Sequence, residues 1–266
     1  MSARYIGLDL AWSPRHDSGL AVLEPRRAGR LAVVALELHR PLADIVERIA
    51  TFAGEPTILM VDAPLVVRNA AGKRECEREV DRRFARFAAG THAGNRTLLG
   101  KVNGGIPRGE ELGRALGRLG YPWPPAALPR RGSARGHFWY ECYPHPAHVV
   151  LFGLERTFAY KHRSHRTWPF LQGEYRRCLE AMRTGLRPRI TWSARLEARL
   201  APEGRIGVAY KRGEDQMDAL FCAWLAAHAH AGGMHLLGEP GDGAIAVPRE
   251  VQGARRSRTH SRVPRV

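Results

Sequence analysis

The feature that most constrains the fold is the run Ile58–Leu65, Ile-Leu-Met-Val-Asp-Ala-Pro-Leu. Four apolar residues lead without a break into Asp62, and Pro64 follows two positions on. A short continuous apolar run of this kind suits a strand buried on both faces of a sheet. Pro64 has no N–H for a ladder bond, so a central strand cannot continue through it. Asp62 is therefore expected where a buried strand emerges at its C-terminal end, the edge at which open α/β sheets bind ligands. A carboxylate there either binds something or caps the next element.

The segments around this run predict a mixed sheet. Arg4–Ala11 reads as a first strand with Asp9 near its end, Ser18–Leu23 as a second and Leu31–Leu38 as a third. Short connections containing Pro14, Pro25 and Gly29 point to antiparallel hairpins. Leu42, Ile45, Val46, Ile49 and Phe52 share one helical face before the Asp62 strand. Three strands, a helix and a further strand suit a sheet whose first three strands form a meander. An amphipathic helix is expected over Lys73–Ala88. From Gly90 to Gly136 the pattern dissolves into a Gly/Pro-rich stretch carrying Lys101, Arg108, Arg114, Arg118, Arg130, Arg131 and Arg135. That stretch reads as a long insertion or lid, with a short helix at Glu110–Leu119. A strand at His137–Tyr143 holds Glu141 and ends at Pro144. Helices follow near Pro169–Arg183, Ser193–Leu200 and Asp215–His230, with a last strand at Gly243–Pro248. One domain over residues 1–250 and a basic, disordered tail over 251–266 complete the expectation.

Composition narrows the class. A hydrophobic fraction of 44% in 266 residues is that of a globular chain with one large core. No run approaches the roughly 20 apolar residues of a membrane helix. The amino-terminal residues enter a strand pattern without the form of a signal peptide. Cys76, Cys142, Cys178 and Cys222 are scattered, which reads as reduced thiols in a cytoplasmic protein rather than a disulfide or zinc framework. The formal charge of +16 is the strongest bulk signal, and nucleic acid is the commonest partner of so basic a surface.

Asp9, Asp62, Glu141 and Asp218, with Asp215 beside the last, stand out because strands or a core helix carry them. Each has a bland role open to it. Asp9 could form a strand-end turn, Asp62 could cap the next segment, and Glu141 could face an arginine. Asp215 and Asp218 could form the first turn of a helix as N-cap and capping box. Several buried carboxylates close together raise one another's pKa unless a cation joins them. Hard divalent cations such as Mg²⁺ or Mn²⁺ meet that need, and paired ions about 4 Å apart serve phosphodiester hydrolysis. In a basic chain, arginines hold the polyanion while metals cut it.

Five stretches together resemble the family named domain of unknown function 429. They are Gly7–Trp12, Val61–Leu65, Glu141–Ala147, Tyr160–Lys161 and Asp215–Trp224, in family order. That family is regarded as predicted nucleases of the ribonuclease H-like superfamily. The resemblance implies an α/β, ribonuclease H-like fold: a five-stranded mixed sheet, three antiparallel strands then two parallel, flanked by helices. It implies metal ligands at Asp9, Asp62, Asp215 and Asp218, with Asp9, Asp62, Glu141 and Asp218 catalytic. Glu141 would be a further ligand or a base orienting water. Lys161 would contact phosphate or restrain a carboxylate. Independently of the resemblance, the basic stretches Gly90–Gly136 and Arg156–Arg166 are expected to supply phosphate contacts, with Arg131 and Arg163 binding substrate. The expected activity is metal-dependent cleavage of DNA or RNA. The alternative is a nonenzymatic nucleic-acid-binding protein on the same fold. An actin-like ATPase reading lacks a second phosphate loop, and Cys142 with His145 is too slight a basis for a thiol nucleophile.

Overall fold

The computed structural model describes residues 2–125, 127–129 and 135–249. Its centre is one eight-stranded sheet in the order β6-β3-β2-β1-β4-β5-β8-β7. The strands are β1 (Arg4–Asp9), β2 (Ser18–Arg26), β3 (Arg30–His39), β4 (Thr57–Asp62), β5 (His137–Cys142), β6 (Arg189–Ile190), β7 (Met234–Glu239) and β8 (Gly243–Pro248). The helices are α1 (Leu42–Thr51), α2 (Glu75–Phe84), α3 (Arg96–Val102), α4 (Arg108–Gly117), α5 (Pro144–Phe152), α6 (Trp168–Gly185), α7 (Ala194–Leu200) and α8 (Gly207–His230). The sheet has eight strands, not the five expected. The central five, β3-β2-β1-β4-β5, do keep the expected directions: β1–β2 and β2–β3 are antiparallel, β1–β4 and β4–β5 parallel. The additions are the short edge strand β6 and the β7–β8 hairpin, which joins β5 through β8.

Side-chain alternation decides what each face of the sheet does. Tyr5, Ile58, Met60 and Tyr140 point to the face covered by α8, α6 and α7. Ile6, Leu8, Leu59, Val61 and Trp139 point to the other face, covered by α1 and α4. A smaller cluster joins Val80 and Phe84 of α2 to Leu237, Ile245 and Val247 of the hairpin. The helix α8 is buried nearly all round from Gly213 to Ala227, as a helix sandwiched between a sheet and further helices must be. It lies directly on the sheet because β1 and β2 carry glycines beneath it. A Cβ at Gly7 would collide with the Ala219 carbonyl and the Ala223 amide, and one at Gly19 with the Asp215 carbonyl.

The stretch read as a long loop with one short helix holds both α3 and α4. Leu112 and Leu116 of α4 are fully buried against the sheet. Pro144, expected only to end a strand, is the first residue of α5, where its missing N–H costs nothing.

Candidate functional site

The first acidic pair follows from strand geometry alone. Asp9 and Asp62 are the last residues of adjacent parallel strands and stand opposite each other in register. Both continue the side-chain parity that puts Tyr5, Gly7, Ile58 and Met60 against α8, so the two carboxylates meet that helix at the sheet edge. Asp9 Oδ2 is shut off from solvent and has no hydrogen-bond partner among the described residues. Burial, the first cause, raises the Asp9 carboxyl above its ordinary pKa, although Lys161 and Lys211 pull the other way. Burial and then the charge of Asp9 push Asp62 well above the usual range.

The helix α8 supplies the facing acids. It begins at Gly207, so Asp215 lies more than two turns inside it rather than at its N-cap. Glu214, Asp215 and Asp218 are all buried. Lys161 ion-pairs with Asp218 and reaches Glu214 Oε1 at 3.2 Å. The Tyr160 hydroxyl donates to Asp218 Oδ1 at 2.7 Å. Lys211, one helical turn before Asp215, pairs with it and with Glu214 Oε1 at 3.0 Å. Burial opposes ionisation of Asp218, but Lys161 and the Tyr160 hydroxyl outweigh it and hold that carboxyl below its ordinary range. Asp215 moves the opposite way: burial and then Asp9 push it up to about 8 against the pull of Lys211. Lys161 is held charged by Asp218 and Glu214 in spite of its burial.

Glu141 stands apart from this group. It is one residue short of the end of β5, so it shares its parity with Trp139 and faces away from α8. There it accepts hydrogen bonds from Arg74 at 2.6 and 2.8 Å and from the Leu65 amide at 3.0 Å. Arg74 also binds Glu77 and the Val66 carbonyl. This buried cluster ties down the turn that follows Asp62. The bland role weighed for Glu141, facing an arginine, is the one its contacts describe.

The Asp9–Asp62 ledge opens into a cleft of about 1010 Å³. Cations line it: Arg15, Arg156 and Arg163, which make no ion pair among the described residues, and Arg40 and Arg212, which share Asp17 at 3.0 and 2.9 Å. Trp12, three residues past Asp9, is 39% exposed at the same cleft, with the His92 ring edge-on to it. Arg108 of the supposed lid is buried and donates to the Ala11 and Ser13 carbonyls, so it clips the β1–β2 loop rather than facing the cleft. Arg131 lies outside the described residues. Cys142 and His145 do not pair: the thiol lies 3.5 Å from Cys222 Sγ, and the imidazole bonds Thr157 at 3.1 Å.

Four participants escaped the sequence reading: Glu214, Lys211, Trp12 and Arg15. Glu214–Asp218 and Lys211–Asp215 are both i,i+4 pairs, a signal hidden by starting the helix at Asp215. Among the described residues no three His, Cys, Asp or Glu side chains converge tightly enough to cage an ion. Nor is any helix among the described residues long and apolar enough to cross a membrane.

Comparison with known proteins adds the family. The search of curated proteins finds no match. Among solved structures, the chain is similar to RuvC from Thermus thermophilus at 13% identity and a TM-score of 0.31, over 86% of this chain and 98% of that one. Similarity at that score decides neither fold nor activity. The family model described as "Protein of unknown function (DUF429)" matches residues 7–242, and the chain belongs to that family.

Proposed function

We propose that the chain is a divalent-metal-dependent nuclease that hydrolyses phosphodiester bonds in nucleic acid, on a ribonuclease H-like sheet. One observation carries this reading. Two aspartates stand in register at the ends of adjacent parallel strands, one with a buried oxygen lacking a partner among the described residues, on the floor of a cation-lined cleft. A buried carboxylate pair without a cation is costly. Mg²⁺ and Mn²⁺ are commonly held by one or two carboxylates together with waters and substrate phosphate, so Asp9 and Asp62 fit such an ion. When bound there, it would polarise a phosphate oxygen and lower the pKa of a water.

The chain's own residues do the rest. Arg15, Arg156 and Arg163 attract and orient the polyanion along the cleft. Asp215 and Asp218 complete the acidic wall, held in place by Lys211 and by Lys161 with Tyr160. Glu141 and Arg74 act as positioning residues, fixing through Leu65 and Val66 the turn behind Asp62.

A second reading has its own support. Lys161 and Lys211 already neutralise the helix acids, as a nonenzymatic nucleic-acid-binding protein would need. The discriminating assay presents labelled single-stranded, duplex, RNA–DNA hybrid and four-way-junction substrates with Mg²⁺, Mn²⁺ or EDTA. The nuclease reading expects metal-dependent cutting, abolished by EDTA and reduced about a hundredfold or more in Asp62→Asn. Equal binding by both proteins without cutting under any metal overturns it in favour of the binding protein. Neither binding nor cutting overturns both.

A further inference from the structure

The five acids of the site are not equally provided with cations. Asp218 is satisfied at both oxygens, by Tyr160 on Oδ1 and Lys161 on Oδ2. Asp215 has Lys211, and Glu214 Oε1 is shared by both lysines. Two oxygens of these acids are left buried without a partner among the described residues: Asp9 Oδ2 and Glu214 Oε2, the latter on a side chain only 3% exposed. No lysine or arginine is bonded to Asp9 or Asp62 among the described residues.

Lys161 is not a surface lysine that happened to fold inward. Its backbone carbonyl accepts from Arg166 Nη1 at 2.8 Å, and the carbonyl of Tyr160 accepts from the Tyr210 hydroxyl at 2.8 Å. Those bonds anchor the segment on both sides of the side chain, so the ammonium is delivered to Asp218 and Glu214 from a fixed backbone. An ammonium there supplies the charge that a second metal ion would otherwise bring to those carboxylates. It also repels one, since two cations competing for the same carboxylates at close range oppose each other.

Resting on the reading of Asp9 and Asp62 as a cation site, we propose that this centre takes one divalent cation, not two, and that Lys161 is its resident second cation. The ion sits at the Asp9–Asp62 ledge, and the Asp218–Glu214 side is closed to metal while Lys161 occupies it. The lack of any three-acid cage among the described residues fits this division, because a two-carboxylate ledge completed by water and phosphate needs none.

The test is a count of bound Mn²⁺ by electron paramagnetic resonance on the full chain, titrating the metal alone without substrate. The wild-type protein binds one ion, and Lys161→Arg, which keeps the charge, also binds one. Lys161→Met binds two, the second at the vacated Asp218–Glu214 side. Asp62→Asn weakens the first ion at least about tenfold. Circular dichroism checks that each variant folds, and the wild-type count decides the matter even if Lys161→Met does not. Two ions in the wild-type protein overturn this inference and leave the metal reading standing, as does a folded Lys161→Met that stays at one. No bound Mn²⁺ in the wild-type protein overturns the metal reading and this inference with it.

Discussion

Asp218 and Asp215 lie three residues apart on one helix, yet their carboxyls are shifted in opposite directions. Burial acts on both; what differs is that Asp218 has an ammonium and a phenol on its two oxygens while Asp215 also faces Asp9. The consequence is a pH dependence with a definite sign. A carboxyl whose folded pKa is raised stabilises the fold below its unfolded pKa, near 4, and loses that contribution as pH rises through the folded value. Asp9, Asp62 and Asp215 are of this kind, and Asp215 reaches about 8. Asp218 has the opposite sign, but its loss lies at acid pH, outside the window concerned. In EDTA the melting temperature should therefore fall between about pH 5 and 8, with a slope of up to ~1.4 kcal/mol of stability per pH unit for each proton released. Mg²⁺ should flatten the fall, and Asp215→Asn should reduce it. Melts in EDTA that stay level across this range contradict the account. Glu141 shows where residue-level reading stops. Asp9 and Asp62 end their strands, whereas Glu141 comes one residue early, and in His-Phe-Trp-Tyr-Glu-Cys both faces are apolar. The direction of that carboxylate was therefore not written in the hydrophobic pattern.

At the scale of elements, the strands and helices with one apolar face were legible. Strands β1 to β5, α1 and β8 lie at or within a few residues of their expected positions. Less legible were elements whose signal is weak or borrowed from tertiary contacts. The helix α8 starts eight positions before the expected Asp215, because its first turns, Gly207–Arg212, are largely exposed and Ile206 offers no side-chain cap. The two-residue β6 exists only through its pairing with Arg30 and Leu31. The helix α8 also depends on an absence of side chains below it. Gly7→Ala would push a methyl group into the backbone of Ala219 and Ala223, and overpacking of this kind costs about 1–3 kcal/mol or more. Urea unfolding should show that loss, together with weaker Mn²⁺ binding as α8 lifts from Asp9. Gly173→Ala is the control: it lies in α6 with nothing within 4 Å of the added Cβ, so it should be neutral or stabilising by up to ~1 kcal/mol. Equal loss in both variants contradicts the close packing of α8 on β1.

For the whole molecule, the charge of +16 and the acidic centre belong to one arrangement. The sheet edge concentrates carboxylates where β1 and β4 end beneath α8, and the surrounding cleft presents Arg15, Arg156 and Arg163 toward it. Basic walls around an acidic floor favour a ligand that is anionic overall yet brings or accepts a divalent cation, as a phosphodiester does. The meander of the first three strands was readable because short hairpin connections leave few ways to join them; the two parallel strands beside it were expected only from the family resemblance, and the flanking strands were not legible, since edge pairing is decided by packing. The central claim is that Asp9 and Asp62 together hold a metal ion. Its most direct test is anomalous diffraction from crystals of the full chain grown with Mn²⁺. The account predicts a single anomalous peak within bonding distance of both carboxylates, absent from Asp62→Asn crystals. Mn²⁺ found elsewhere in the cleft, or a ledge left bare at millimolar Mn²⁺, would contradict it.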